Sequence, residues 1–167
     1  TRWADFARAR DLQVPEGVDP GAPFVQLLDP ATGTGTFLLG VIEVVHETMM
    51  AEYDRQGLQG ADRQRAWCGY VRAHLLPRMR GFELTMAPYV VSHLRLGLAL
   101  QQTGFEFRQE DRLGVFLTNS LEQTTPEQLA PLDQRVAEEA RRASEIKAGR
   151  GTTVILGNPP YSGHSTH

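Results

Sequence analysis

A chain of 167 residues, 41% apolar and 22% charged, has the composition of one globular domain, which excludes a disordered or fibrous protein. No apolar run approaches the roughly 20 residues that span a bilayer, so no membrane association is expected. The single cysteine, Cys68, excludes an internal disulfide and a zinc site built from several cysteines. We expect it to be a small buried residue on a helix, in a cytoplasmic protein.

The formal net charge is -3, and the 17 basic residues are scattered along the chain. A domain that grips DNA by itself usually carries a basic face that neutralises several phosphates. If DNA is the substrate, most of the grip must therefore come from sequence that is not present here.

The chain alternates between strand-like and helix-like segments after a lead-in over 1–23, which has a short helical start and a proline- and glycine-rich loop. Short apolar runs predict strands over 24–28, 79–84, 113–118 and 152–156. Apolar spacing predicts helices over 36–53, 61–76, 89–102 and 126–147, with Pro88 in the first turn of the third and Gly104 as its cap. This alternation predicts an α/β fold with a parallel sheet and flanking helices over 24–167.

A polar cluster follows each predicted strand, beginning at Asp29, Glu83, Asn119 and Asn158. In open α/β sheets, ligands bind outside the carboxyl ends of the strands. We therefore expect these four positions to share one ligand-binding edge.

The first cluster contains a glycine turn, Thr32-Gly-Thr-Gly-Thr36, between a strand and a helix. A nucleoside triphosphate loop needs Gly-Lys-Ser/Thr, which is absent, and a dinucleotide fingerprint needs a third glycine where Leu38 stands. S-adenosylmethionine fits better, because it has no phosphate and carries a cation and a ribose diol. Asp29 would lie near its methionine end, Glu83 would bind the ribose and Asn119 would read the adenine. A purely structural glycine turn remains an alternative for this motif alone.

The fourth cluster, Asn158-Pro-Pro-Tyr161, suits chemistry on a planar amine. The side-chain carbonyl of Asn158 and the backbone carbonyl of Pro159 can both accept from an exocyclic NH₂, which frees its lone pair for attack on a methyl group. The two prolines fix their own φ angles, and Tyr161 offers a face on which an extruded base can stack. Read alone, Pro-Pro-Tyr is also a common turn or partner-binding motif.

Together, Asp29-Pro-Ala-Thr-Gly-Thr-Gly-Thr-Phe37 and Asn158-Pro-Pro-Tyr161 resemble, in this order, the gamma class of DNA adenine-N6 methyltransferases. Over 24–165 the sequence is most similar to the methyltransferase region of Type ISP restriction-modification enzymes of bacteria. Further stretches that carry the resemblance are Gly81-Phe-Glu-Leu84, Ala87-Pro-Tyr89, Leu117-Thr-Asn-Ser-Leu121 and Leu156-Gly-Asn-Pro-Pro-Tyr-Ser-Gly-His164.

The resemblance implies a Rossmann-like S-adenosylmethionine-dependent methyltransferase fold and site-specific adenine methylation of DNA. It places Asp29, Ala31, Gly33, Gly35 and Phe37 at the methionine end of the cofactor, Glu83 at the ribose and Asn119 at the adenine. Many gamma enzymes have Asp at the position of Asn119. It places Asn158, Pro159, Pro160 and Tyr161 on the catalytic loop.

The resemblance also implies that the sequence is a fragment, since the later strands of a methyltransferase sheet cannot fit into the six residues after Tyr161. DNA would then be held by other parts of the parent enzyme. We expect the fragment to be inactive alone and to self-associate through an exposed sheet edge.

The histidines are not expected to form a metal site. His164 and His167 lie on the tail with no cysteine or carboxylate nearby, whereas zinc needs three or four ligands. The resemblance makes His164 a candidate for the mouth of the base pocket, and the remaining histidines, which lie within predicted helices, are expected to be structural.

Two other functions fit the same motifs. Protein-glutamine and ribosomal-RNA guanine methyltransferases also use Asn-Pro-Pro-Tyr, because an amide or an exocyclic amine poses the same nucleophile problem. A catalytically inactive methyltransferase-like module that binds a partner is a third possibility, disfavoured by the complete set of motifs.

Overall fold

The computed structural model describes residues 2–119, 141–144, 146 and 154–158. Its helices are α1 (Trp3–Arg8), α2 (Thr36–Arg55), α3 (Gly60–Tyr70) and α4 (Met86–Gln102), and its strands are β1 (Leu27–Asp29), β2 (Met79–Glu83), β3 (Val115–Leu117) and β4 (Val154–Ile155). Each predicted strand has a counterpart, and β1, β2 and β3 are shorter than predicted because pairing covers only part of each apolar run. Of the predicted helix over 126–147, residues 141–144 and 146 are helical and the others lie outside the described residues.

The four strands form one parallel sheet in the order β3-β2-β1-β4. The chain adds β2 and β3 on one side of β1 and then returns to the other side to place β4. The direction of strand addition therefore reverses between β1 and β4. Such a switch point leaves a crevice at the carboxyl edge of the sheet, where ligands bind in open α/β folds.

The core lies between the sheet and its helices. Leu38 and Ile42 of α2 meet Leu96 and Leu100 of α4, and all four are at most 1% exposed. Because α2 and α4 pack against each other, they lie on the same face of the sheet. Burial of these aliphatic side chains, worth about 1.5–3 kcal/mol each, holds the two helices over the strands that carry the site residues.

The predicted helix over 61–76 is in fact two elements, since α3 is followed by a π-helical turn over Val71–Leu75. Leu75 at the end of this turn and Leu76 directly after it are both buried, at 3% and 6% exposure. The turn also presents Arg72, whose Nε donates to Oδ2 of Asp111 at 3.0 Å.

The end of α4 follows the prediction for Gly104. This residue has a φ of +83° and donates to the carbonyl of Gln101, while Phe105 donates to the carbonyl of Leu100. These bonds form a Schellman motif, which satisfies the last carbonyls of the helix. Pro88 lies in the first turn of α4, as predicted.

The lead-in begins with α1, which agrees with the predicted helical start. Trp3 and Phe6 of this helix pack against Phe24, with the two phenylalanine rings stacked 3.6 Å apart between centroids. Cys68 lies on α3 as predicted but is only half-buried. Among the described residues, no helix is long and apolar enough to cross a membrane.

Candidate functional site

The four polar positions predicted to share an edge all follow strands of the sheet. Asp29 ends β1, Glu83 ends β2, and Asn119 and Asn158 come shortly after β3 and β4. Since the strands are parallel, the order across the edge is Asn119, Glu83, Asp29 and Asn158. The amide of Thr118 donates to the carbonyl of Glu83 at 2.7 Å, which ties the segment after β3 to the end of β2.

Asp29 is completely buried and incompletely paired. Its Oδ1 accepts from the amide of Ala31 at 3.1 Å, whereas Oδ2 has no hydrogen-bond partner among the described residues. Burial raises the pKa of the Asp29 carboxyl above its ordinary value; the Ala31 hydrogen bond opposes this rise and the charge of Glu83 adds to it. A buried acceptor left in this state is suited to a ligand that brings a donor or a positive charge.

Glu83 is the opposite case, because it is well paired. Its Oε2 accepts from the amide of Gly33 at 2.8 Å, and its Oε1 accepts from the amide and the hydroxyl of Thr85 at 2.8 and 2.7 Å. Burial by itself would raise the pKa of Glu83, but the hydrogen bonds from Thr85, Gly33 and Leu84 outweigh it and lower the pKa. Glu83 is therefore a fixed, ionised carboxylate whose oxygens retain lone pairs that can accept further hydrogen bonds.

The glycine turn requires its glycines. Gly33 and Gly35 have φ angles of +54° and +84°, in the left-handed region that side chains rarely adopt. Among the described residues, a Cβ built on Gly33 would meet only the carbonyl oxygen of Ala31, 4.0 Å away, which leaves space on this side of the turn for an approaching ligand. The turn packs on Gly81 of β2, where a Cβ would collide with Oγ1 of Thr32.

The segment after β4 lies directly beside Asp29. β1 and β4 pair with Leu28 opposite Ile155, and a Cβ on Gly157 would stand 2.7 Å from Oδ1 of Asp29. Only glycine fits this approach without displacing the carboxylate. Asn158, the next residue, is exposed, so its side chain is open to a partner outside the chain.

The other predicted site residues lie in the glycine turn, at the start of α2 or outside the described part. Ala31 is half-buried in the turn, and Phe37, in the first turn of α2, is 45% exposed. Pro159, Pro160 and Tyr161, together with His164 and His167, lie outside the described residues.

Two residues that the sequence did not single out support the turn. Thr85 pairs with Glu83, as described above. Arg95 of α4 donates from Nη1 to the carbonyl and the hydroxyl of Thr34 at 3.0 and 2.8 Å. One signal could have revealed Arg95, since it is the only Asp, Glu, Lys or Arg among the 17 residues of α4.

The helical histidines have contacts within the fold or lie at its surface. His46 packs edge-on against Trp67, and His93 Nε2 lies 3.1 Å from the carbonyl of Val115. His74 is exposed. Within the part of the chain that the structure describes, no group of three or more histidines, cysteines or carboxylates could hold a metal ion.

Solved structures of DNA-bound proteins are similar to this chain, three of which are given below. The nuclease-deletion mutant of the Type ISP restriction-modification enzyme LlaGI, in complex with a DNA substrate mimic, matches with a TM-score of 0.55 and 22% identity over 96% of this chain. The ATP-dependent Type ISP restriction-modification enzyme LlaBIII, bound to DNA, matches with a TM-score of 0.51 and 22% identity over 96% of this chain. The DrdV–DNA complex matches with a TM-score of 0.50 and 24% identity over 83% of this chain.

The parallel sheet with flanking helices is a Rossmann-like fold, and the chain shares it with a segment of these proteins. The predicted fold class is thereby confirmed. The chain spans only 12%, 11% and 10% of the LlaGI, DrdV and LlaBIII chains. No protein-family model matches the sequence, and no curated protein sequence matches it.

Proposed function

We propose that this chain transfers a methyl group from S-adenosylmethionine to N6 of adenine in DNA, as part of a larger restriction-modification enzyme. The observation that carries the proposal is the contact between Gly157 and Asp29. It brings Gly157, which directly precedes Asn158, beside the end of β1, from which the chain enters the glycine turn, at the switch point of the sheet. Methyl transfer needs the donor and the amine in one site with reacting atoms about 3–3.5 Å apart, so the two motifs must be neighbours.

The residues at this edge fit S-adenosylmethionine. Bound there, this cofactor supplies a methyl group made electrophilic by its sulfonium. Oδ2 of Asp29, which has no partner among the described residues, suits the cationic methionine end of the cofactor, and the open side of Gly33 admits the methionine backbone. Glu83 is held ionised, so it can accept from ribose hydroxyls. Two carboxylates at one edge would repel a phosphate, which weighs against a nucleotide triphosphate or dinucleotide.

Asn158 then acts on the substrate amine. Its side-chain carbonyl accepts from the amino group and draws the nitrogen lone pair out of conjugation, which is electrostatic preorganisation without a strong base. The exposure of Asn158 is consistent with a substrate that comes from outside the chain. Because this chain has a net charge of -3, the contacts to the DNA phosphates belong to other parts of the enzyme. The structures of LlaGI and LlaBIII contain a DNA substrate mimic and DNA, respectively.

The test is Asn158→Ala in the intact parent enzyme. Methyl incorporation into DNA should fall on the order of a hundredfold or more, while affinity for S-adenosylhomocysteine stays within about twofold. Gln109→Ala, an exposed amide in the segment before β3, is the matched control and should retain full activity. Incorporation within a few-fold of wild type, or methyl groups found on RNA or protein and not on DNA, would count against the proposal.

A further inference from the structure

The glycine turn contains three peptide groups whose orientation decides what a ligand meets. Thr34 lies between two left-handed glycines, so the local chain has unusual freedom to rotate. Two of the three groups are held by the protein. The Thr32–Gly33 group donates its N–H to Glu83, and its carbonyl accepts from Gly35 at 2.8 Å.

The Thr34–Gly35 group is held at both ends as well. Its N–H is the one that Gly35 donates to Thr32, and its carbonyl accepts from Arg95 Nη1. The same nitrogen donates to the Thr34 hydroxyl, so one guanidinium fixes both the backbone and the side chain of this residue. Arg95 approaches from α4, whose Ser92 and Leu96 lie 3.4 and 3.5 Å from a Cβ built on Gly35.

The Gly33–Thr34 group between them is different. Among the described residues, neither the carbonyl of Gly33 nor the N–H of Thr34 has a hydrogen-bond partner. Arg95 forms no ion pair with a described carboxylate, so its described side-chain hydrogen bonds are the two that it donates to Thr34. The turn thus offers one unpaired donor and one unpaired acceptor, flanked by peptide groups held by Glu83 and Arg95.

We infer that Arg95 is a positioning residue for the cofactor: by fixing the carbonyl of Thr34, it keeps the Gly33–Thr34 peptide group turned toward the amino-acid end of the ligand. This inference rests on the proposed function. Arg95 acts through Thr34 and does not touch the ligand. Losing it lets the Thr34–Gly35 group rotate, so that binding must first restore the turn, and the loss is confined to ligands that use the amino-acid end.

Calorimetry with two probes tests this on the purified protein. S-adenosylhomocysteine carries the amino-acid end, and methylthioadenosine has the same nucleoside without it. In Arg95→Met, affinity for S-adenosylhomocysteine should fall about tenfold, while affinity for methylthioadenosine changes less than about twofold. Arg95→Lys keeps one donor and should recover most of the loss. Arg112→Met, an exposed arginine before β3, is the matched control and should bind both probes as wild type does.

A second measurement needs no ligand. Amide exchange followed by NMR should accelerate about tenfold at Gly33 and Gly35 in Arg95→Met, and remain unchanged at Phe82 in β2. Equal losses for both probes, or unchanged exchange in the turn, overturn the inference. Wild-type protein that binds neither probe refutes the proposed function instead, and the exchange rates still decide whether Arg95 holds the turn.

Discussion

Replacing Asp29 by Asn should make the ligand-free protein more stable and the ligand-bound protein weaker. Asn has nearly the same shape and retains an oxygen that can accept from the amide of Ala31. It removes a charge that is fully buried and has one oxygen without a partner among the described residues. Leaving such a group unpaired costs about 1–3 kcal/mol, and more when it is charged. The amide of Asn is itself unpaired there, so we expect a net gain of about 1–2 kcal/mol at pH 7.

The gain should depend on pH in a defined direction. The folded-state pKa of Asp29 is raised above its ordinary value of 3.8, so between these two values the folded chain binds more protons than the unfolded chain. The stability of the wild type therefore falls as pH rises through this window. Below the ordinary value Asp29 is neutral in both states, and the advantage of the variant should become small.

Urea unfolding of wild type and Asp29→Asn from about pH 3 to pH 8 measures this difference. At pH 7 the expected gain corresponds to a rise in Tm of about 2–8 °C for a domain of this size. The exposed Asp54, paired with Arg63 at 2.8 Å, provides the control Asp54→Asn, which should cost less than about 1 kcal/mol. Affinity for S-adenosylhomocysteine should fall at least about tenfold in Asp29→Asn. A variant that is less stable at pH 7, or whose advantage persists unchanged on acidification, would refute the reasoning.

Two further predictions concern β2. Glu83→Ala should lower affinity for S-adenosylhomocysteine at least about tenfold by calorimetry, since charge-assisted bonds to the ribose are worth about 1.5–3 kcal/mol each. Glu83→Gln keeps an acceptor for Gly33 and should lose less of this affinity. An affinity of Glu83→Ala equal to that of the wild type would exclude the ribose role. Gly81→Ala should destabilise the fold by about 1–3 kcal/mol in urea unfolding, because its Cβ would collide with Thr32 and come within 3.0 Å of Leu38. Gly40→Ala is the control and should be neutral or stabilising, because its Cβ meets no atom of the described residues within 4 Å. Equal effects in the two variants would show that the turn does not pack on β2 as described.

The sequence predicted that four polar positions share one edge of the sheet, because a strand end can be identified from local pattern. An apolar run followed by a polar residue identifies a strand end, and parallel strands bring their carboxyl ends together. The sequence alone therefore assigns four positions to one edge of the sheet: Asp29, Glu83, Asn119 and Asn158. Their roles at that edge remain predictions.

The contacts that shape the site could not be predicted in the same way, since they join distant parts of the chain. The bond from Gly33 to Glu83 spans 50 positions, and the bond from Arg95 to Thr34 spans 61. No local pattern encodes such a pair. The π-helical turn escaped prediction for a related reason, because the spacing of Val71 and Leu75 alone also fits a regular helix.

The outer edge of β4 gives the last prediction, which concerns self-association. Among the described strands, β4 pairs with β1 on one side only, and its Val154 and Ile155 are 38% and 70% exposed. An exposed edge with aliphatic side chains is a template for pairing with another strand. We therefore expect the 167-residue chain to self-associate at micromolar concentration when studied alone, and Ile155→Lys to shift it toward monomer in sedimentation velocity. Leu94→Lys on the exposed side of α4, where Leu94 is 62% exposed, is the matched control. Dissociation by Leu94→Lys but not by Ile155→Lys would move the contact from the sheet edge to the helix.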